Sequence, residues 1–151
     1  MWPLLLALLA FDGSERHAQM ITRLVHRGDP AAVDYVVRRL DQGLPPAALE
    51  AFLDAAREAP REDFVPALRE LTRYRKETIR ARAFAALAAL GDEHGAEAAV
   101  SAMDDPSLSI RLLGLKLGEE HTSPRTEEAA ILLLDRDAEI AAIVARARVE
   151  G

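Results

Sequence analysis

The sequence repeats itself with a period of about 30 residues, and this period constrains the fold more than any other feature. Five apolar positions recur at intervals of 30, 31, 31 and 30 residues: Ala18, Ala48, Ile79, Ile110 and Ile140. Each begins an apolar pattern with helical spacing, which places its side chains on one face of an α-helix. A fixed period of this length is typical of stacked structural repeats.

Each repeat also contains a second apolar stripe, and turn residues separate the two. Between the first two stripes, Gly28 is suited to end a helix, Asp29 to cap the next helix and Pro30 to be its first residue. Pro106 lies between two repeats. Each repeat is therefore predicted to be a hairpin of two helices. The second stripes are Val33, Val36, Val37 and Leu40; Phe64, Ala67, Leu68 and Leu71; Ala96, Ala99, Val100 and Met103; and Glu127, Ala130, Ile131 and Leu134.

The period predicts an all-α protein, an α-solenoid in which roughly nine helices form a superhelix of antiparallel hairpins. The leucine-rich opening, MWPLLLALLAF, keeps the spacing of a second helix, and the closing IAAIVARARVEG keeps that of a first helix. One repeat domain is expected over residues 1–151. Its parts are a half repeat at 3–13, hairpins at 15–43, 46–74, 77–104 and 108–136, and a half repeat at 138–150.

The opening stretch has two other interpretations, a membrane span and a secretory signal. Its run of about eight apolar residues is much shorter than the roughly 20 that a spanning helix needs. No Lys or Arg precedes Leu4, and a cut after Ala10 would leave Leu8 where a small residue is expected. We expect a cytoplasmic protein, with export as the alternative if residues 1 to about 13 act as a signal.

The stretch IRARAFAALAALGDEHGAEAAVSAMDDPSLSIRLLGLKLG, residues 79–118, carries a family resemblance. Its Ile-Arg opening, alanine-rich first helix, Leu-Gly-Asp and Asp-Pro turn resemble the HEAT-like repeat family in its short form, which also occurs in phycobilisome lyases. The earlier repeats depart from this motif, with Leu49-Glu50 in place of Ile-Arg and Ala59-Pro60 in place of Gly-Asp. The resemblance implies that the second helices line a concave binding face.

The binding residues expected on that face are basic in the middle of the chain, with one tyrosine. Arginine and tyrosine are favoured anchors of protein interfaces, so an acidic protein segment with aliphatic side chains is the expected partner. Near the start, Leu5, Leu6 and Leu9 lie off the core stripe and form an apolar end suited to association, including self-association. The expected concave-face residues are Tyr35, Arg38, Gln42, Arg69, Arg73, Ser101 and Leu132.

Composition and motifs argue against most other functions. The net charge of −6 argues against a general nucleic-acid binder, and the absence of cysteine excludes thiolate chemistry. The run RELTRYRKETIRARA, residues 69–83, could bind phosphate or nucleic acid but is better explained as a solvated turn. The resemblance to HEAT-like repeats implies that Arg80 in this run pairs with carboxylates between repeats. No nucleophile elbow or phosphate-binding glycine loop occurs in the sequence.

Histidines near predicted turns could bring metal-binding groups together, since His94 and His121 have acidic neighbours. No recognised ligand spacing is present, so we predict surface histidines, no metal and no cofactor. The protein is expected to be a non-catalytic scaffold for protein–protein interaction. The alternatives are a chromophore-lyase-like enzyme or subunit and a HEAT-like DNA-binding or repair module. Seventeen arginines against two lysines indicate a bacterial genome rich in G and C.

Overall fold

The described part of the chain consists of helices joined by short connections. The computed structural model describes the backbone of residues 2–151 and the side chains of residues 13–151. Within these residues there is no strand, and the helices pack against neighbouring helices, which confirms the all-α class. The helices are α1 Trp2–Arg27, α2 Pro30–Gln42, α3 Pro46–Glu58, α4 Val65–Leu71, α5 Glu77–Ala88, α6 Asp92–Met103, α7 Leu108–Glu120, α8 Pro124–Arg136 and α9 Ala138–Glu150, with a 3₁₀ turn at Glu62–Phe64 before α4.

The turn residues recognised in the sequence do end and begin helices. The backbone N–H of Ala32 donates to Asp29 Oδ2 at 3.3 Å, and Pro30 is the first residue of α2. Gly28 adopts a φ of 65°, a conformation that favours glycine. At the start of α8, Ser123 and Thr126 form a capping box, in which each side chain bonds to the other residue's backbone N–H.

One boundary differs from the prediction. The sequence predicts a break between the half repeat at 3–13 and the hairpin at 15–43, whereas α1 runs without interruption from Trp2 to Arg27. The segment Asp12-Gly13-Ser14 contains no proline, so no backbone N–H is lost. A glycine inside a helix costs only about 1 kcal/mol relative to alanine, which the continuous hydrogen bonding of the helix tolerates.

The chain divides into two compact units, the first ending at Ala86 and the second beginning at Leu87. In the first unit, α1 packs along α3 and against α2, and α2 also touches α4. Ile21 and Val25 of α1 are buried there. The rings of Phe52 and Phe64, both fully buried, meet edge to face with centroids 5.1 Å apart.

In the second unit, α6 packs against both α7 and α8, and α9 packs against α8. The buried face of α6 includes Ala98, Ala99 and Ala102, which have no exposed surface, and Met103, which is 1% exposed. At the facing position of α7, a Cβ added to Gly114 would lie 2.7 Å from the backbone nitrogen of Met103 and 3.0 Å from the carbonyl carbon of Ala102. The backbones of α6 and α7 therefore approach closely because α7 has no side chain at Gly114.

Arg111, the arginine of an Ile-Arg pair, anchors the turn that precedes α7. Its Nη1 donates to the carbonyl oxygens of Asp105 at 3.0 Å and Pro106 at 2.8 Å, and its Nε donates to Asp137 Oδ2 at 3.1 Å. Asp137 also caps α9 by accepting from the N–H of Ile140 at 3.2 Å. One side chain thus connects the turn before α7 to the start of α9.

Arg80, 31 residues earlier, makes the corresponding turn contact in the first unit. Its Nη1 donates to the carbonyl oxygens of Tyr74 and Arg75, each at 3.0 Å. The Ile-Arg pair therefore has a structural explanation at both positions. The isoleucine is buried, and the arginine binds the carbonyls of the turn before its own helix.

We predict that Gly114→Ala lowers the free energy of unfolding by about 1–3 kcal/mol, because the new methyl group would meet backbone atoms that cannot move aside. The urea midpoint measures this loss. Gly118→Ala in the same helix is the control, since its nearest neighbour is the terminal methyl of Met103 at 3.1 Å, which can rotate away. Equal destabilisation by both substitutions would contradict the close helix contact.

We also predict that Arg111→Met destabilises the protein by about 1–3 kcal/mol, because it leaves the Asp105 and Pro106 carbonyls and the Asp137 carboxylate without this donor. Thermal or urea unfolding followed by circular dichroism measures the effect. Arg146→Met, at an exposed position of α9, serves as the control and is expected to change stability by less than about 0.5 kcal/mol.

Candidate interaction surfaces

The binding residues predicted in the first unit lie on two helices that touch each other. Arg38 and Gln42 are exposed on α2, and Arg69 is exposed on α4. Arg73 is exposed in the turn after α4, and Tyr35 is half-buried. Contact between α2 and α4 places these elements side by side. We call Arg38, Arg69 and Arg73 the arginine surface.

Acidic residues interrupt the basic character predicted for α2. Asp34 and Asp41 lie four residues before and three residues after Arg38, and all three side chains are exposed. Residues at these spacings are neighbours on one helix face. The exposed face of α2 therefore has mixed charge, and a partner must match both the arginine and its acidic neighbours.

In the second unit, the predicted binding residues Ser101 and Leu132 are exposed on α6 and α8, and these two helices pack together. Leu132 is 57% exposed, and its neighbour Ile131 is 59% exposed. Leu133, the next residue, is fully buried. We call Ile131 and Leu132 the aliphatic pair.

The exposure of Ile131 corrects the predicted core stripe of α8. The helix instead buries Leu133 and Thr126. Contacts distant in sequence accompany this rotation about the helix axis: Arg136 Nη2 donates to the Met103 carbonyl at 2.9 Å and to Asp104 Oδ1 at 2.7 Å. Thr126 is held by the capping box at the other end of the helix.

The side chains of the predicted apolar end, Leu5, Leu6 and Leu9, lie outside the described residues. Their backbone belongs to α1. Association through these leucines stays a prediction.

The histidines near turns have structural contacts. His121 Nδ1 lies 3.0 Å from Asp92 Oδ1 at the start of α6, and the His121 ring covers Gly95, where an added Cβ would lie 2.3 Å from the ring. His94 Nδ1 is 3.6 Å from Glu97 Oε2. Among residues with described side chains, no group of three or more His, Cys, Asp or Glu is arranged to hold a metal ion. His121 therefore joins the end of α7 to the first turns of α6.

His26 forms a link between α1 and α3 that the sequence reasoning missed. Its Nδ1 lies 2.9 Å from the Thr22 carbonyl oxygen and its Nε2 lies 3.0 Å from Glu58 Oε2. Both nitrogens donate only in the protonated ring. The hydrogen bond to the Thr22 carbonyl, followed by the hydrogen bond to Glu58, therefore raises the pKa of His26 above its ordinary 6.5. Burial opposes these two effects by less, and the charge of Glu58 adds a smaller increase.

No helix in the described part of the chain is both long enough and apolar enough to cross a bilayer. No family model, curated protein or solved structure matches this chain.

We predict that Glu58→Gln lowers the pKa of His26 towards 6.5, which an NMR titration of the imidazole protons would measure. Because the folded-state pKa is raised, the stability from this link is fully present below pH 6.5 and is lost as the pH rises through the folded value. The difference in urea midpoint between wild type and Glu58→Gln should therefore shrink with increasing pH. Glu93→Gln, an exposed change elsewhere, should leave the titration of His26 unaltered, and an unchanged titration in Glu58→Gln would refute the link.

Proposed function

We propose that this chain is a HEAT-like helical repeat that binds another protein through the exposed faces of its second helices and acts as a non-catalytic scaffold. One observation carries the proposal: the predicted binding residues Arg38, Arg69, Ser101 and Leu132 are exposed on helices that bury other residues against their neighbours. The buried residues of the same helices are Val36, Leu68, Ala102 and Leu133, each at most 1% exposed.

The arginine surface defines the charge of the proposed partner. A guanidinium group offers five donors in a planar fork that matches a carboxylate, and arginine is enriched among residues that dominate binding energy. Asp34 and Asp41 flank Arg38 and disfavour a uniformly acidic ligand at that point. A segment with spaced carboxylates fits α2 better than a continuous acidic run does.

The aliphatic pair supplies apolar contact area. Two large aliphatic side chains, each more than half exposed and adjacent on one helix, bury apolar surface when a partner covers them. Full burial of one such side chain contributes roughly 1.5–3 kcal/mol, which is enough to raise affinity by tenfold or more. The proposed partner therefore presents aliphatic side chains together with its carboxylates.

The test is quantitative affinity purification of the tagged protein from the organism that encodes it. Two variants are compared with wild type: Arg38→Glu/Arg69→Glu/Arg73→Glu, and Ile131→Ser/Leu132→Ser. A specific partner should fall about tenfold or more in both variants, since each removes an anchor of the interface. Calorimetry with the purified partner should then give a correspondingly weaker Kd.

The matched control is Arg57→Glu/Arg146→Glu/Arg148→Glu, which changes the net charge by the same amount as the arginine variant at exposed positions on α3 and α9. This variant should retain the partner. Circular dichroism melting establishes that each variant is folded. Loss of the partner in the control, or its full retention in both surface variants, would contradict the proposal.

A further inference from the structure

A cleft of about 230 Å³ opens among α7, α8 and α9 in the second unit. Leu115 of α7, Ala130 and Leu134 of α8 and Val144 of α9 contribute aliphatic lining. Each of these four side chains is only partly buried. The cleft therefore offers an accessible aliphatic floor to which three helices contribute.

The charged residues of this cleft are Glu119, Glu127 and Arg148, all exposed. The surrounding unit is strongly acidic, since residues 87–151 contain thirteen Asp and Glu against six Lys and Arg, a net charge of −7. A complementary ligand combines aliphatic side chains with positive charge. An amphipathic helix that carries aliphatic and basic side chains on the same face fits such a groove.

The same chain carries a surface of that kind on α1. Arg16, Met20, Arg23 and Arg27 follow the spacing i, i+4, i+7 and i+11, and with Leu24 they line a shallow groove of about 350 Å³. Such spacing places these side chains along one face of the helix. Met20 is 39% exposed, and a flexible thioether side chain adapts readily to an irregular apolar floor. We call these five residues the basic stripe.

We propose that copies of this chain associate head to tail, with the basic stripe of one copy docked in the α7–α9 cleft of the next. Charge complementarity selects a second copy as the occupant, because residues 1–86 carry a net charge of +1 and residues 87–151 carry −7. Since two different surfaces meet, the contact is heterologous and either closes into a ring or extends into an open chain. The inference is independent of the proposed scaffold function, since it uses neither the arginine surface nor the aliphatic pair.

Sedimentation velocity of the purified wild-type protein over a concentration series up to about 200 μM measures the association. We expect the mean molar mass to rise with concentration at about 0.05 M salt and to fall at about 0.5 M salt, where exposed charges are screened. Arg16→Glu/Arg23→Glu and Glu119→Arg/Glu127→Arg each place like charges on both contact surfaces. Either variant, measured alone, should raise the apparent Kd for self-association by about tenfold or more.

An equimolar mixture of the two variants distinguishes the proposed contact from a loss of folding. In the mixture, the acidic stripe of Arg16→Glu/Arg23→Glu can bind the basic cleft of Glu119→Arg/Glu127→Arg. The unchanged stripe of the second variant can likewise bind the unchanged cleft of the first. Association should therefore return to near the wild-type level. Arg57→Glu/Arg75→Glu and Glu93→Arg/Glu128→Arg change the net charge equally at exposed positions elsewhere, and both should associate like wild type.

A wild-type protein that stays monomeric at low salt over the whole series would overturn the inference. Association that survives in both reversal variants, or a mixture that fails to restore it, would overturn it as well. Association abolished by Leu5→Ser/Leu6→Ser/Leu9→Ser but insensitive to both charge reversals would assign self-association to the leucine-rich opening instead.

Discussion

Helix α7 can lie against the backbone of α6 only because Gly114 has no side chain. The buried face of α6 contains the small residues Ala98, Ala99 and Ala102 as well as Met103. Where small residues of the two helices meet, their backbone atoms come close enough for dispersion contacts. Arg111 of α7 binds Asp137, which lies between α8 and α9 and caps α9, so α7 is linked to the other two helices that line the cleft.

The sequence contains turn residues at which several helices begin or end, and these residues recur together with the apolar stripes. Pro30, Gly91 and Pro106 all lie in connections that the structure places between helices or at their first residue. The break predicted near Gly13 was wrong because a glycine without a proline is a weak signal against continued helical hydrogen bonding. The arrangement of the hairpins in a solenoid stays a prediction.

The face that α8 presents could not be derived from local spacing. Its predicted stripe is apolar at Ala130, Ile131 and Leu134, yet the helix buries Leu133 and exposes Ile131. Arg136 of the same helix binds Met103 and Asp104, more than 30 positions away. The link of His26 to Glu58 crosses 32 positions and is equally invisible to a periodic pattern. Predicting such contacts requires knowledge of which side chains the stacked helices bring together, which one sequence does not contain.

The packing of the His121 ring on Gly95 has a consequence for how relatives of this chain can vary. Any side chain at position 95 would occupy the space of the imidazole, since an added Cβ falls 2.3 Å from the ring. We therefore expect positions 95 and 121 to vary together: a homologue with alanine or serine at 95 would need a smaller or differently oriented residue at 121. Such a homologue would also give up the bond to Asp92, so these three positions are expected to change together.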